Sequence, residues 1–313
     1  MTERHLPDAV RQSRIGTRAQ WRAAGVPEPL LRALIRAGEL VLVRPNVYAS
    51  TAARDRAAGN PRREHSLQVL AVRCVAGRDA VGSHQSAALI HGLDLLNAPP
   101  ARWITMTRPA RGRPALPGVR LHTAQLPADQ VTTVAGAQVT SVARTVIDLA
   151  RSCSFMEGVV VADNALHREL TSKTQLRKVL TACARWPGSL KASRVVDFSD
   201  GRAESVLESC ARVFFQLHGL EPPELQAEIC DGQGQFIGRV DFYWPQYQTV
   251  AESDGLSKYA KKADIYAQFR RDRLLHRAGR KVVHFTWNEI FHETPTIITH
   301  IRHTFTAPPP PAT

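Results

Sequence analysis

Apolar positions follow helical spacing in some stretches of this chain and alternate in others, and the changes mark its elements. In Glu28-Pro-Leu-Leu-Arg-Ala-Leu-Ile-Arg-Ala-Gly38, Leu30, Leu31, Leu34 and Ile35 fall on one helical face. Arg32 and Arg36 share the opposite face, and Gly38 stops the helix. Upstream, Thr17 is placed to cap a shorter helix through Ala19–Ala24, ending at Gly25. Downstream, Leu40–Tyr48 reads as two short strands around Arg44-Pro-Asn46. Helix, turn, helix and hairpin is the winged helix-turn-helix layout, whose second helix enters the major groove while the wing touches phosphate. Arg18, Arg32, Arg36, Arg44 and Asn46 are therefore the candidate DNA-contacting residues. The alternative is a small helical packing module with ordinary solvated arginines. Ser50 to Arg63, rich in Ala and Arg, reads as a linker.

A mixed middle stretch follows. Ser83–Leu93 is a capped helix, Trp103–Thr107 and Val119–Thr123 are short strands, and a basic loop, Arg108–Arg113, separates them. Ser141–Ala150 is a helix with Arg144 and Asp148 at i,i+4, the spacing of a salt bridge. His84 and His91 lie two turns apart, which suits capping or core roles better than a metal site. Helices at about 155–170 and 172–186 close the stretch, and Pro187-Gly188 starts a linker to Asp200.

The last third begins with a helix over Ala203–Phe215, followed by strand-like Leu225–Ile229. Gly238-Arg-Val-Asp-Phe-Tyr-Trp244 and Val250-Ala-Glu-Ser-Asp-Gly255 then read as a hairpin with Asp241 roughly opposite Glu252. Alternation puts Asp254 on the face of Glu252, so three carboxylates are expected to crowd one patch of sheet. Like charges that close repel unless a cation neutralises them. A hard divalent ion, Mg²⁺ or Mn²⁺, held by one or two carboxylates plus water and substrate phosphate, suits phosphodiester hydrolysis. A polar helix over Lys261–Ala278, a strand over Lys281–Trp287 and a last helix at 294–305 complete an α-β-β-β-α-β-α order.

Composition narrows the function classes. The balance of 41 Lys+Arg against 28 Asp+Glu, a net +13, favours polyanionic partners, above all DNA. The apolar content of 43% is ample for burial, and 313 residues exceed what one core usually supports. No run is long enough to cross a bilayer and Met-Thr-Glu-Arg-His-Leu-Pro lacks a signal peptide's apolar core, so a cytoplasmic location and no membrane partner are expected. Five scattered cysteines without a C-x-x-C support neither a zinc ribbon nor a redox motif. The expected class is multidomain α/β: a winged helix-turn-helix at 1–56, a mixed α/β middle domain at 57–198 and a layered α/β domain at 199–306, which its resemblance to a known family implies is restriction-endonuclease-like. A proline-rich tail at 307–313 is expected to be disordered.

Two resemblances add to this reading. Glu204-x-x-Leu207, Gln226, Val240-Asp241, Glu252-x-Asp254-Gly255, Arg271-Asp272 and Gly279 stand in the order found in the endonuclease-like family related to very-short-patch-repair enzymes, within the PD-(D/E)XK nuclease superfamily. The last third resembles that family over roughly 100 residues. The resemblance implies that Asp241 and Glu252 bind the metal and that Glu204 is a helical carboxylate beside it. It implies that Gln226 positions the strand or the scissile phosphate. Where the superfamily carries its lysine this chain has Asp254, and Lys258 is the nearest cation, placed to orient water or stabilise an oxyanion. The first two segments resemble the AbiE-type abortive-infection antitoxin family. Gly25-Val26, Leu34–Leu40 and Val43-Arg-Pro-Asn-Val-Tyr-Ala49 match its winged helix, with Asn46 taking a turn position that often holds glycine. Ser83–Leu93 and Thr140–Ala150 match its second domain. This resemblance implies DNA binding, autoregulation and a nucleotidyltransferase-type toxin as partner. The expectation is a DNA-binding protein with an Mg²⁺-dependent endonuclease domain. The alternative is a non-catalytic autorepressor and antitoxin of a type IV toxin–antitoxin-like system.

Overall fold

In the computed structural model, which describes residues 15–100, 103–109, 116–254 and 262–310, Thr17 starts the first helix as the sequence predicts. Its hydroxyl accepts from the Gln20 amide at 3.2 Å, and the Gln20 side chain takes the Thr17 amide at 2.8 Å. Lys258, residues 110–113 of the basic loop and residues 311–313 of the tail lie outside the described residues. The chain is mixed α/β with three sheets among the described residues. It divides into two units, Met1–Cys153 with Thr171–Ser193, and Ser154–Leu170 with Arg194–Thr313. No described helix is long and apolar enough to cross a membrane.

The first unit opens with β1 (Ile15–Thr17), α1 (Arg18–Ala23), α2 (Glu28–Arg36), β2 (Leu40–Arg44) and β3 (Val47–Ser50). The strands pair in the order β1-β3-β2 over Trp21, Val26, Leu31, Leu34 and Leu40. Asn46 takes the β2–β3 turn with φ 62°, a left-handed conformation that asparagine tolerates. The stretch expected to be a linker is helical instead, as α3 (Thr51–Ala57) and the start of α4 (Pro61–Ala76). Ser50 and Asn60 cap these helices, and alanine-rich sequence favours them. A five-stranded sheet follows, ordered β6-β5-β4-β8-β7. Its strands are β4 (Val81–Gly82), β5 (Ile104–Arg108), β6 (Val119–Thr123), β7 (Val131–Val134) and β8 (Ala137–Thr140). Helix α5 (His84–His91) and α4 cover a core of Val69, Val72, Ile90, Ile104, Met106 and Val139. Helices α6 (Val142–Ser152) and α8 (Lys173–Ala182) complete the unit.

The second unit takes in α7 (Phe155–His167), counted with the middle segment on sequence, and the Arg194–Phe198 end of α9 (Ser189–Phe198). A linker was expected where α9 stands. Ala192, Val195 and Val196 are buried at helical spacing, which accounts for the difference. Buried Asp163 of α7 accepts from Arg212 Nη1 at 2.6 Å on α10 (Val206–Leu217) and from the Asp200 amide at 2.7 Å. The sheet is ordered β12-β11-β10-β9, from β9 (Glu224–Cys230), β10 (Phe236–Trp244), β11 (Thr249–Asp254) and β12 (Lys281–Thr286). Helix α11 (Lys262–Arg277) crosses between the parallel pair β11 and β12, and α12 (Trp287–His292) and α13 (Thr294–Thr306) follow. One core holds Leu207, Phe215, Phe242, Trp244, Ala251, Phe285 and Ile301, with Phe215 5.3 Å from Phe242 and 5.4 Å from Trp244. A second holds Ile229, Val240, Tyr243, Val250 and Leu275. Sheet faces buried on both sides follow, with each large side chain contributing about 1.5–3 kcal/mol by burial.

Candidate functional site

The hairpin register is the expected one: Phe242 pairs with Ala251 and Tyr243 with Val250, which sets Asp241 opposite Glu252. The faces are not the expected ones. Val240 packs in the core with Leu275 of α11, whereas Phe242 packs in the other with Phe215 of α10. Two residues apart on an unbroken strand would share a face, so alternation breaks between them. Beside the break, on β9, Gln226 has φ 53°, and its neighbours Leu225 and Ala227 also divide between the two cores. A left-handed residue in a strand marks such a kink. Asp241 Oδ2 therefore accepts from the Ser253 amide at 2.8 Å and from Ser253 Oγ at 2.6 Å. Ser253 follows Ala251 on the α10 side, while Glu252 and Asp254 follow Val250 on the α11 side. The expected patch of three carboxylates is thus split. Among the described residues, no three His, Cys, Asp or Glu side chains gather to hold a metal ion.

On the α10 side the partner of Asp241 is Glu208, not Glu204. Glu204 is exposed and ion-paired to Arg239 at 2.9 Å. Glu208, buried in the first turn of α10, accepts from the Glu204 amide and from Gln226 Nε2, each at 2.9 Å. Burial, followed by the negative charge of Asp241, pushes the Glu208 carboxyl above its ordinary range. Sequence reading missed this residue because Ser205-x-x-Glu208 has the spacing of a capping box. Ser205 does cap α10, but the Glu208 side chain is spent on Gln226 and the Glu204 amide.

On the α11 side the acids meet cations of the chain itself. Arg271 donates to buried Glu252. Gly238 leaves room for it, since a Cβ there would sit 3.2 Å from Arg271 Cδ. His284 bridges two acids, with Nδ1 3.3 Å from Asp254 and Nε2 3.0 Å from Asp272, and Gln268 donates to Asp254 at 3.3 Å. The Asp254 hydrogen bond, reinforced by both carboxylates' charge, raises the imidazole to about 9 against the opposing effect of burial. Glu252, expected as a metal ligand, is in this structure the partner of an arginine.

The N-terminal candidates also divide. Arg36 is exposed on α2, and Arg32, mostly exposed, lies 3.5 Å from Glu28. Arg18 is occupied: it pairs with Glu28 at 2.8 Å and covers the Tyr48 ring at 5.5 Å. Arg44 donates to the Pro117 carbonyl at 2.9 Å instead of standing free on the wing, and burial lowers its pKa. It lines a groove of about 1010 Å³ together with Arg54, Arg62 and His65. His84 stacks on His122 at 3.9 Å, and His91 Nε2 sits 2.7 Å from the Thr140 carbonyl, so both serve packing. Arg144 and Asp148 form a fully buried pair at 2.8 Å, with Trp186 against both Arg144 and Arg151.

No protein-family model matches the chain. The uncharacterized protein Rv2248 of Mycobacterium tuberculosis (strain ATCC 25618 / H37Rv) is 30% identical over 229 residues, 72% of this chain and 82% of that protein. The uncharacterized protein MT2308 of strain CDC 1551 / Oshkosh matches with the same figures. The chain belongs to their family. Each of the two units is shorter than the 229 matched residues, so the likeness reaches into both.

Proposed function

We propose that this protein binds DNA through its first unit and cleaves phosphodiester bonds with Mg²⁺ held by Asp241 and Glu208 of its second. The observation that carries the reading is the Glu208–Asp241 pair. Two carboxylates are held near each other, one pushed up by its burial and then by the other's charge, with Gln226 and Ser253 fixing their orientation. A fold does not keep a repelling pair for stability, and perturbed acids of this kind mark functional sites. The donors fit the ion: Mg²⁺ takes hard oxygens, usually one or two carboxylates, and completes its shell with water and substrate phosphate. Bound there, it supplies charge neutralisation for a phosphodiester and a more acidic water. The chain's own residues do the rest. Ser253 orients Asp241, Gln226 orients Glu208, and Arg239 beside Glu204 offers a cation to the substrate backbone. The layered sheet with its carboxylates on β10, β11 and α10 agrees with the resemblance to the PD-(D/E)XK superfamily. In the first unit the helix-turn-helix and hairpin support a winged-helix assignment, with Arg32, Arg36 and Asn46 as the available DNA contacts.

One observation favours a second reading. Arg271 neutralises Glu252, the acid that the nuclease family gives to its metal, and that arrangement suits a non-catalytic fold. The chain would then be a DNA-binding autorepressor and antitoxin of a nucleotidyltransferase-type toxin. Calorimetric titration with Mg²⁺ and Mn²⁺ separates the two. The nuclease reading expects saturable binding that Asp241→Ala and Glu208→Gln both abolish. No binding to the wild-type protein, with DNA present, sinks that reading. The repressor reading then stands or falls on a gel shift of the protein's own promoter, lost in the Arg32→Ala/Arg36→Ala variant.

A further inference from the structure

Helix α11 has two unlike faces. Gln268, Arg271, Asp272 and buried Leu275 turn inward, to Asp254, Glu252, His284 and the second core respectively. The outward face carries Tyr266, 70% exposed, and Phe269, 63% exposed, together with exposed Arg270, Arg273 and Arg277. Each aromatic is followed four residues later by an arginine, Tyr266 by Arg270 and Phe269 by Arg273, so the side chains of each pair are neighbours on the surface. Asp272, the acid among the described side chains of this helix, is turned away to His284. Among the described side chains the outer stripe is therefore cationic and aromatic without an interleaved carboxylate.

We infer that this face binds an unpaired nucleic-acid strand, its bases stacked on Tyr266 and Phe269 and its phosphates held by Arg270 and Arg273. Exposed aromatic rings cost free energy in water and repay it when a flat partner covers them. Bases have flat π faces, and between them runs a chain of phosphates that complements the arginines. A duplex offers the same phosphates but keeps its bases stacked inside, so the rings select the unpaired strand. An apolar protein partner would match the rings and leave the arginines desolvated and uncompensated. The inference rests on the phosphodiester-cleaving reading of the second unit and names its substrate class, single-stranded or flapped nucleic acid. The inward face of the same helix meets Glu252 and Asp254, which flank Ser253, the residue that orients Asp241.

Fluorescence anisotropy in EDTA tests this without any metal, using the full chain, a labelled 20-nucleotide oligo-dT and a duplex of the same length. Tyr266→Ala/Phe269→Ala is expected to weaken oligo-dT binding about tenfold or more and duplex binding less than about twofold. Tyr266→Trp/Phe269→Trp is expected to restore it. Arg270→Ala/Arg273→Ala is expected to weaken both and to lower the slope of log K against log salt for oligo-dT by about 1.4. Unchanged oligo-dT binding in the aromatic double variant, with its far-UV circular dichroism intact, overturns the inference. So does loss of self-association in that variant with oligo-dT binding retained, which makes the face a protein contact. Asp241→Ala is expected to bind oligo-dT like the wild type, so loss of the metal site and loss of this surface are read separately.

Discussion

In the first unit four histidines lie among hydroxyls, a carbonyl and one another. In the second, His284 is suspended between two carboxylates. His65 contacts Ser86 Oγ at 2.9 Å, and burial drives it down to about 4. His84 is pushed well below its ordinary value by burial and then by His122, and burial also lowers His91 and His122. His284 moves the opposite way, up to about 9, because Asp254 and Asp272 outweigh its partial burial. The same side chain is thus a neutral packing group in one unit and a cation in the other. What decides is whether an acid faces the ring, since burial opposes the charged form in both. The contrast also separates the units by purpose. Neutral histidines joined to Ser and Thr specify a core, whereas a charged one between acids balances a site rich in carboxylates.

The largest test asks whether the units differ in their buried ion pairs as they do in histidine. Arg144–Asp148 in the first and Arg212–Asp163 in the second are pairs whose acid is fully buried and whose arginine is almost so. Asp163 is raised to about 6 by burial, with Arg212 pulling the other way. Removing one partner leaves a buried charge, so Asp148→Ala and Asp163→Ala should each cost about 3–5 kcal/mol. Urea unfolding followed by peptide-resolved hydrogen exchange assigns the loss to a unit. A cost under about 1 kcal/mol in either variant would show that water reaches the orphaned arginine.

The next effect is the dependence on pH, and its sign differs between the units. A histidine lowered on folding contributes stability that is complete above pH 6.5 and lost as pH falls toward its folded value. For His65 that window runs from about 6.5 to about 4 and spans up to about 3 kcal/mol. A histidine raised on folding contributes stability that is complete below pH 6.5 and lost as pH rises through the folded value. For His284 the window runs from about 6.5 to about 9, and solvent screening at its partly exposed ring makes the span smaller than that of His65. Hydrogen exchange at pH 5, 7 and 9.5, corrected for intrinsic rates, should show the first unit loosening in acid and the second in base. His65→Gln and His284→Gln should flatten the two windows separately. Loosening of both units in the same direction would break the comparison.

Much of the second unit was legible in the sequence, for identifiable reasons. Alternating Val, Phe, Tyr and Trp set the strands, and the short connection at Pro245–Gln248 set the register that brings residue 241 opposite 252. Alternation also placed Glu252 and Asp254 together correctly. It failed at Asp241 because it assumes an unbroken strand, and Gln226, on the neighbouring strand, takes a left-handed φ that glycine or asparagine would have advertised and glutamine does not. In the first unit Asn46 did advertise its turn. The linkers at 50–63 and 187–200 were misread because Pro and Gly stand at helix starts there, at Pro61 and just ahead of Ser189. The long-range partners were not legible: neither the Pro117 carbonyl for Arg44 nor Arg271 for Glu252 leaves a local pattern.

The smallest effect on stability decides which glutamate serves the site. Glu204 stands just ahead of α10 with Arg239 51% exposed beside it, and such pairs contribute under about 1 kcal/mol. Glu204→Gln should therefore change the unfolding midpoint little and leave Mg²⁺ binding intact. Glu208→Gln keeps the side chain's shape and removes the charge that opposes Asp241. It should hold or slightly raise stability, by no more than about 1 kcal/mol, while abolishing Mg²⁺ binding, the trade expected where a fold retains repulsion for function. A matched loss of stability and binding in Glu208→Gln would instead make that residue a structural acid. Loss of Mg²⁺ binding in Glu204→Gln would return the site to the glutamate that the nuclease resemblance implies. Arg239 would then have to release Glu204 before the ion could bind.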